Sequence, residues 1–89
     1  MPRISVPPPY RGPTQGHAEL ETRGATLREC LEDADRQFPG FGEQVFDAQG
    51  RVHRFVNLFV NGDEIDRGDV DRPVAETDSI EILAAIAGG

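Results

Sequence analysis

Residues 54–62 read Arg54-Phe55-Val56-Asn57-Leu58-Phe59-Val60-Asn61-Gly62. Valine, leucine and phenylalanine dominate this run, and such side chains fit a pleated, half-buried surface. In a strand the side chains alternate between faces. Val56, Leu58 and Val60 therefore share one side, and Phe55, Asn57 and Phe59 share the other. Asn61-Gly62 follows at once, a pair that tolerates the positive φ angles of a type I′ hairpin turn. Residues 63–79 carry a series of acids from Asp63 to Asp78 and read as turns with at most short strands, one expected around Ile65.

Working outward, the helix is found upstream. Thr26 and Glu29 stand at the spacing of a capping box, in which each side chain satisfies the other residue's free backbone N–H. Leu27, Cys30, Leu31, Ala34 and Phe38 then form one apolar stripe on a 3.6-residue repeat. Pro39-Gly40 stops the helix. Arg3-Ile4-Ser5-Val6 alternates as a strand does, and Pro7-Pro8-Pro9 ends it because proline cannot donate to a ladder. Residues 17–22 alternate again, with Ala18 and Leu20 on one side, so the chain opens with a hairpin. Residues 40–53, with Gly40, Gly42 and Gly50, read as a connecting loop holding a helical turn or a short extended piece near 44–46. Ser79 to Ala84 forms the last strand. The order β-β-α-β-(β)-β predicts an α+β protein in which one main helix covers a mixed sheet of four to five strands. Ile4, Val6, Val56, Leu58, Val60, Ile80 and Ile82 face that helix, and the β-grasp, or ubiquitin-like, topology satisfies this layering.

Composition narrows the function. The chain has 89 residues and a net charge of −7, enough for one core and unsuited to nucleic acid or an anionic membrane. No apolar run reaches the roughly 18 residues of a membrane span, and no basic-then-apolar leader opens the chain, so the expected compartment is the cytoplasm. Cys30 is the only cysteine and lies within the helical stripe, which marks it as core and not as a nucleophile. With His17 and His53 far apart, no metal site is expected. All nine basic residues are arginine, so the folded chain carries no side-chain amine for an activated carboxyl to acylate.

The chain ends in Ala84-Ala85-Ile86-Ala87-Gly88-Gly89. Glycines at the end of a strand bury nothing and cost backbone entropy. Without β-carbons, however, such an end can thread a narrow channel and present its carboxylate. A domain over residues 1–84 and a flexible tail over 85–89 are therefore expected.

Together these segments resemble the MoaD/ThiS sulfur carriers, in particular their CysO-like branch. The resemblance rests on the strand 54–61, on Thr77-Asp78-Ser79-Ile80-Glu81-Ile82-Leu83 and on the 84–89 tail. Val6-Pro7 to Arg11 and Gly24-Ala25-Thr26-Leu27 fit as well. One departure is the absence of a proline at Ala84-Ala85, where many relatives carry one shortly before the end. The resemblance implies a protein cosubstrate and not an enzyme. An activating enzyme related to the ubiquitin activators would adenylate the Gly89 carboxylate, and sulfur delivery would convert it to a thiocarboxylate. ATP and magnesium would belong to that enzyme, with no cofactor held stably by the chain. Ile86, Ala87 and Gly88 would contact the partner as the tail threads its channel, Gly88 giving steric clearance.

Further expected partners are a sulfur-accepting biosynthetic enzyme and a metalloprotease that trims the C-terminus. The product could be cysteine, a thiamin-like heterocycle, molybdopterin or a sulfur-containing secondary metabolite. Two other classes stay open: a ubiquitin-like modifier joined to lysines of target proteins, and a β-grasp module that binds without covalent chemistry. Phe59 is the candidate partner contact on the face away from the helix. Phe55 either joins it there or packs under the 41–50 loop.

Overall fold

The structure is a computed structural model that describes residues 1–84; the expected tail over 85–89 lies outside the described residues. The strands are β1 (Arg3–Ser5), β2 (Glu19–Glu21), β3 (Val56–Val60), β4 (Asp63–Ile65) and β5 (Ser79–Ala84), with helices α1 (Leu27–Gln37) and α2 (Phe41–Val45). They form one sheet in the order β2-β1-β5-β3-β4. The central β1–β5 pair is parallel, and the other pairs are antiparallel. A parallel neighbour cannot be reached by a tight turn, so the whole of the intervening chain forms the crossover.

The sheet's inner face supplies Ile4, Val6, Val56, Leu58, Val60, Ile80 and Ile82, all buried, as the alternation requires. They form one cluster with Leu27, Cys30, Leu31 and Ala34 of α1 and with Phe41 and Val45 of α2. Thr26 caps α1 with the expected reciprocal pair: its Oγ1 accepts from the Glu29 N–H and the Glu29 carboxylate accepts from the Thr26 N–H. Asn61 and Gly62 both take positive φ, 53° and 86°, as a type I′ turn demands.

Three features depart from the sequence reading. β3 begins at Val56 because the Val56 N–H donates to His53 O at 3.0 Å, closing a turn that takes in Arg54 and Phe55. The second strand shortens to 19–21, and Ala18 is exposed while Leu20 stays buried. Residues 41–45 form a true helix. Gly40 turns into it at φ 104°, and Asp35 of α1 caps it by accepting from the Gly40 and Gly42 N–H groups at 3.2 and 2.8 Å. Gly42 must stay small, because an added Cβ would lie 2.9 Å from the Asp35 carboxyl carbon.

The 66–78 segment wraps the start of α1. Leu27 N–H donates to Arg72 O and Arg28 N–H to Val70 O, which satisfies amides that a helix leaves free at its first turn. At the other end of β5, Asp78 accepts from the Ala75 N–H and from Asn61 Nδ2, while the Ser79 N–H donates to Asn61 Oδ1. This network ties the β3–β4 turn to the start of the last strand. Among the described residues, no helix is long and apolar enough to cross a membrane.

Candidate functional site

The site is built on the sheet face that α1 leaves uncovered. Register places one row of side chains straight across it: Glu19 on β2, Ser5 on β1, Glu81 on β5, Phe59 on β3 and Glu64 on β4. Phe59 is half-buried, with a carboxylate directly opposite on each side. In the next row Asn57 faces Leu83. Leu83 is therefore the diagonal neighbour of Phe59, within reach of an aromatic ring. At 42% exposure it is one of the few large apolar side chains open to solvent. Phe59 and Leu83 form a small apolar strip bordered by Glu19, Glu64 and Glu81.

β5 then leads out of the sheet. Val56 pairs with Ala84, so the strand is held to its last described residue on the β3 side. On the other side β1 has ended at Ser5, and Pro7 and Arg11 line a groove of about 450 Å3 beside Leu83. Arg11 Nε donates to Val6 O at 2.8 Å, which holds this bend in place. The residues after Ala84 thus start from a fixed point at one end of the sheet, next to the strip.

Phe59 stands where the alternation put it. Phe55 does not pack under the 41–50 loop. It precedes the strand, is 50% exposed and stacks with the Arg54 guanidinium 5.1 Å from its ring. The residues Ile86, Ala87, Gly88 and Gly89 lie outside the described residues. Leu83 was not singled out from the sequence, although the alternation of Ile80 and Ile82 inward already implied that it points outward. Cys30 is fully buried, its thiol 3.7 Å from Gly24 O, and burial pushes its pKa up, so a thiolate is disfavoured there. Among the described residues, no three His, Cys, Asp or Glu side chains are grouped so as to hold a metal.

A five-stranded mixed sheet with a parallel central pair, one helix crossing it and the last strand leading to the C-terminus defines the β-grasp, ubiquitin-like class of small proteins. Residues 10–89 match the ThiS family, and the chain belongs to it. It is 34% identical to the sulfur carrier protein CysO of Mycobacterium tuberculosis, over 97% of this chain and 96% of that protein. The crystal structure of the Amycolatopsis orientalis BexX/CysO complex holds a chain 30% identical to this one, with a TM-score of 0.90 and all of both chains covered. The Mycobacterium tuberculosis CysO crystal structure superposes with a TM-score of 0.88 at 30% identity, covering 97% of this chain and all of that one. SAMP1 from Haloferax volcanii is 16% identical with a TM-score of 0.83, covering 99% of this chain and 98% of that one, and shares the fold.

Proposed function

We propose that this chain is a sulfur carrier whose reacting group is the Gly89 carboxylate. The observation that carries the reading is the direct connection between a firmly paired β5 and the Ala85-Ile86-Ala87-Gly88-Gly89 end, in a chain about a third identical to proteins named as sulfur carriers. A carboxylate is a poor electrophile until one oxygen becomes part of a good leaving group. An adenylating enzyme supplies that change: the Gly89 carboxylate attacks the α-phosphorus of ATP, pyrophosphate leaves, and an acyl-adenylate forms. A sulfur nucleophile at the hydrosulfide level then attacks the acyl carbon and AMP departs, leaving a thiocarboxylate. The chain acts as cosubstrate, and ATP and magnesium belong to the enzyme.

Phe59 and Leu83 are the apolar contact for that enzyme, and Gly88 and Ala87 give the clearance that lets the carboxyl enter its channel. The complex of a related CysO with BexX supports the view that proteins of this kind dock on others. The acceptor belongs to small-molecule biosynthesis, and a C-terminus-trimming metalloprotease is a further partner. The test is ATP–pyrophosphate exchange by an adenylating enzyme of the same genome. Exchange should depend on this chain and vanish when Gly89 is deleted. Equal exchange with the deletion variant would contradict the assignment. Gly-Gly remnants on lysines of other proteins, with no sulfur on this chain, would favour a modifier instead.

A further inference from the structure

The chain has two asparagines, Asn57 and Asn61, and only the second is followed by glycine. In an Asn-Gly pair the glycine N–H reaches the side-chain carbonyl carbon with least hindrance, because the glycine has no β-carbon in the way. Asn61 and Gly62 form the exposed turn between β3 and β4, open to water. A Cβ built on Gly62 meets nothing within 4 Å, and among the described residues the Gly62 N–H donates no hydrogen bond. The nucleophile is unhindered and unoccupied.

The electrophile is held. Asn61 takes φ 53°, so its backbone is already leaving the strand, yet its N–H still donates to Ser79 O at 2.7 Å. Its side chain completes the pairing: Asn61 Oδ1 accepts from the Ser79 N–H at 2.9 Å, one step past the Val60–Ile80 pair. Asn61 Nδ2 donates to Asp78 Oδ1 at 2.9 Å, and the other oxygen of that carboxylate accepts from the Ala75 N–H at 2.8 Å. Both side-chain bonds draw the carboxamide toward β5, whereas Gly62 leads the chain to β4 on the opposite side of β3. To meet Gly62 N, the carboxamide must leave both partners.

We propose that Asn61 is a deamidation site whose rate is set by release of its carboxamide from Asp78 and Ser79. Once it is released, Gly62 N attacks the side-chain carbonyl carbon of Asn61. A C–N bond forms to the backbone nitrogen, the bond to Nδ2 breaks, and ammonia leaves with the proton from Gly62. Water then opens the resulting succinimide at either carbonyl, giving aspartate or isoaspartate at position 61. No atom is oxidised or reduced. The product places a carboxylate where a donor stood, facing Asp78, and the two like charges oppose closure of the turn on β5. The inference concerns the end of β5 remote from Ala84 and is independent of the sulfur-carrier reading.

The test is incubation of the full chain at physiological temperature and neutral pH, with peptide mapping that separates asparagine, aspartate and isoaspartate. The chain unfolded in guanidinium chloride should deamidate at Asn61, and at least about tenfold faster than the folded chain. Asp78→Ala should raise the folded rate about tenfold, the worth of one hydrogen bond to a charged acceptor. Asp78→Asn keeps one acceptor oxygen and should fall between the two. Val45→Ala weakens the core under α2 without touching the turn, and it should stay within about twofold of the parent, because release is local. Asn57 should remain unchanged throughout. No reaction at Asn61 in the unfolded chain, or a folded rate equal to the unfolded one, would overturn the proposal. So would an unchanged rate in both Asp78 variants, or a Val45→Ala acceleration matching that of Asp78→Ala.

Discussion

Replacing Phe59 with arginine separates docking from folding more cleanly than replacing it with alanine. Phe59 lies between Glu64 and Glu81, each directly opposite it on a neighbouring strand. Removing a half-buried ring costs about 1 kcal/mol, half of what full burial of such a side chain is worth. An arginine there gains two opposite-charge pairs, each contributing roughly 0.2–1 kcal/mol, so the fold should be left within about 1 kcal/mol of the parent. Phe59→Glu instead sets three carboxylates in a row and adds a similar penalty to the lost ring, for a total near 2 kcal/mol. In a domain of this size that corresponds to a Tm lower by roughly 8–16 °C for the glutamate variant and within about 8 °C of the parent for the arginine variant.

Docking follows a different order. If the ring is an anchor for the adenylating enzyme, both variants lose it, and the arginine also opposes the basic surface that an acidic strip calls for. A loss of about 2 kcal/mol, or roughly thirtyfold in kcat/KM, is then expected for Phe59→Arg despite its near-parental stability. Thermal unfolding and ATP–pyrophosphate exchange on the same samples provide both readings. A well-folded Phe59→Arg whose kcat/KM stays within about twofold of the parent would refute the reasoning.

The remaining predictions concern the scaffold. Thr26→Ala removes one half of the capping box and should cost about 1 kcal/mol, read by urea unfolding; a change below a few tenths would show that the 66–78 segment alone holds the helix start. Backbone N–H donation from Ala75, then the Asn61 amide, holds the Asp78 carboxyl below the usual carboxylate range. Its contribution to stability is therefore fully present above the ordinary aspartate pKa, near 3.9, and is lost as pH falls through the lower folded value. Asp78→Ala should flatten the acid limb of a Tm-against-pH curve, and an unchanged limb would contradict this. Cys30 should resist alkylation in the native state and react on unfolding, since it is fully buried and its thiol pKa is raised by that burial. Stoichiometric native labelling at the rate of a free thiol would show that the helix opens readily.

Local chemistry made much of the fold readable. The capping box, the Asn61-Gly62 turn and the alternation in 56–60 and 80–82 depend on residues close in sequence, and the inner face followed from them. Contacts between distant segments were not readable. The helix at 41–45 resembled a loop because Gly40 and Gly42 weaken it, and the carboxylate that caps it comes from Asp35 on another helix. Arg28 likewise joins three segments, bonding Asp71 and Gly50 O while lying over the Phe46 ring. Nothing within a few residues of Arg28 signals that role.

The candidate site divides in the same way. Phe59 was visible from periodicity, but its two glutamate neighbours required the strand register. The proposal that Gly89 supplies the reacting carboxyl rests on the tail sequence and the family resemblance.

The central claim is that one oxygen of the Gly89 carboxylate is exchanged for sulfur. Intact mass spectrometry tests it after incubation with the adenylating enzyme of the same genome, ATP, magnesium and sulfide, followed by fragmentation to locate the change. The account predicts a mass increase equal to one oxygen replaced by one sulfur, confined to Gly89 and absent without ATP. An unchanged mass with an enzyme shown to adenylate this chain, or sulfur found on Cys30 instead, would contradict it.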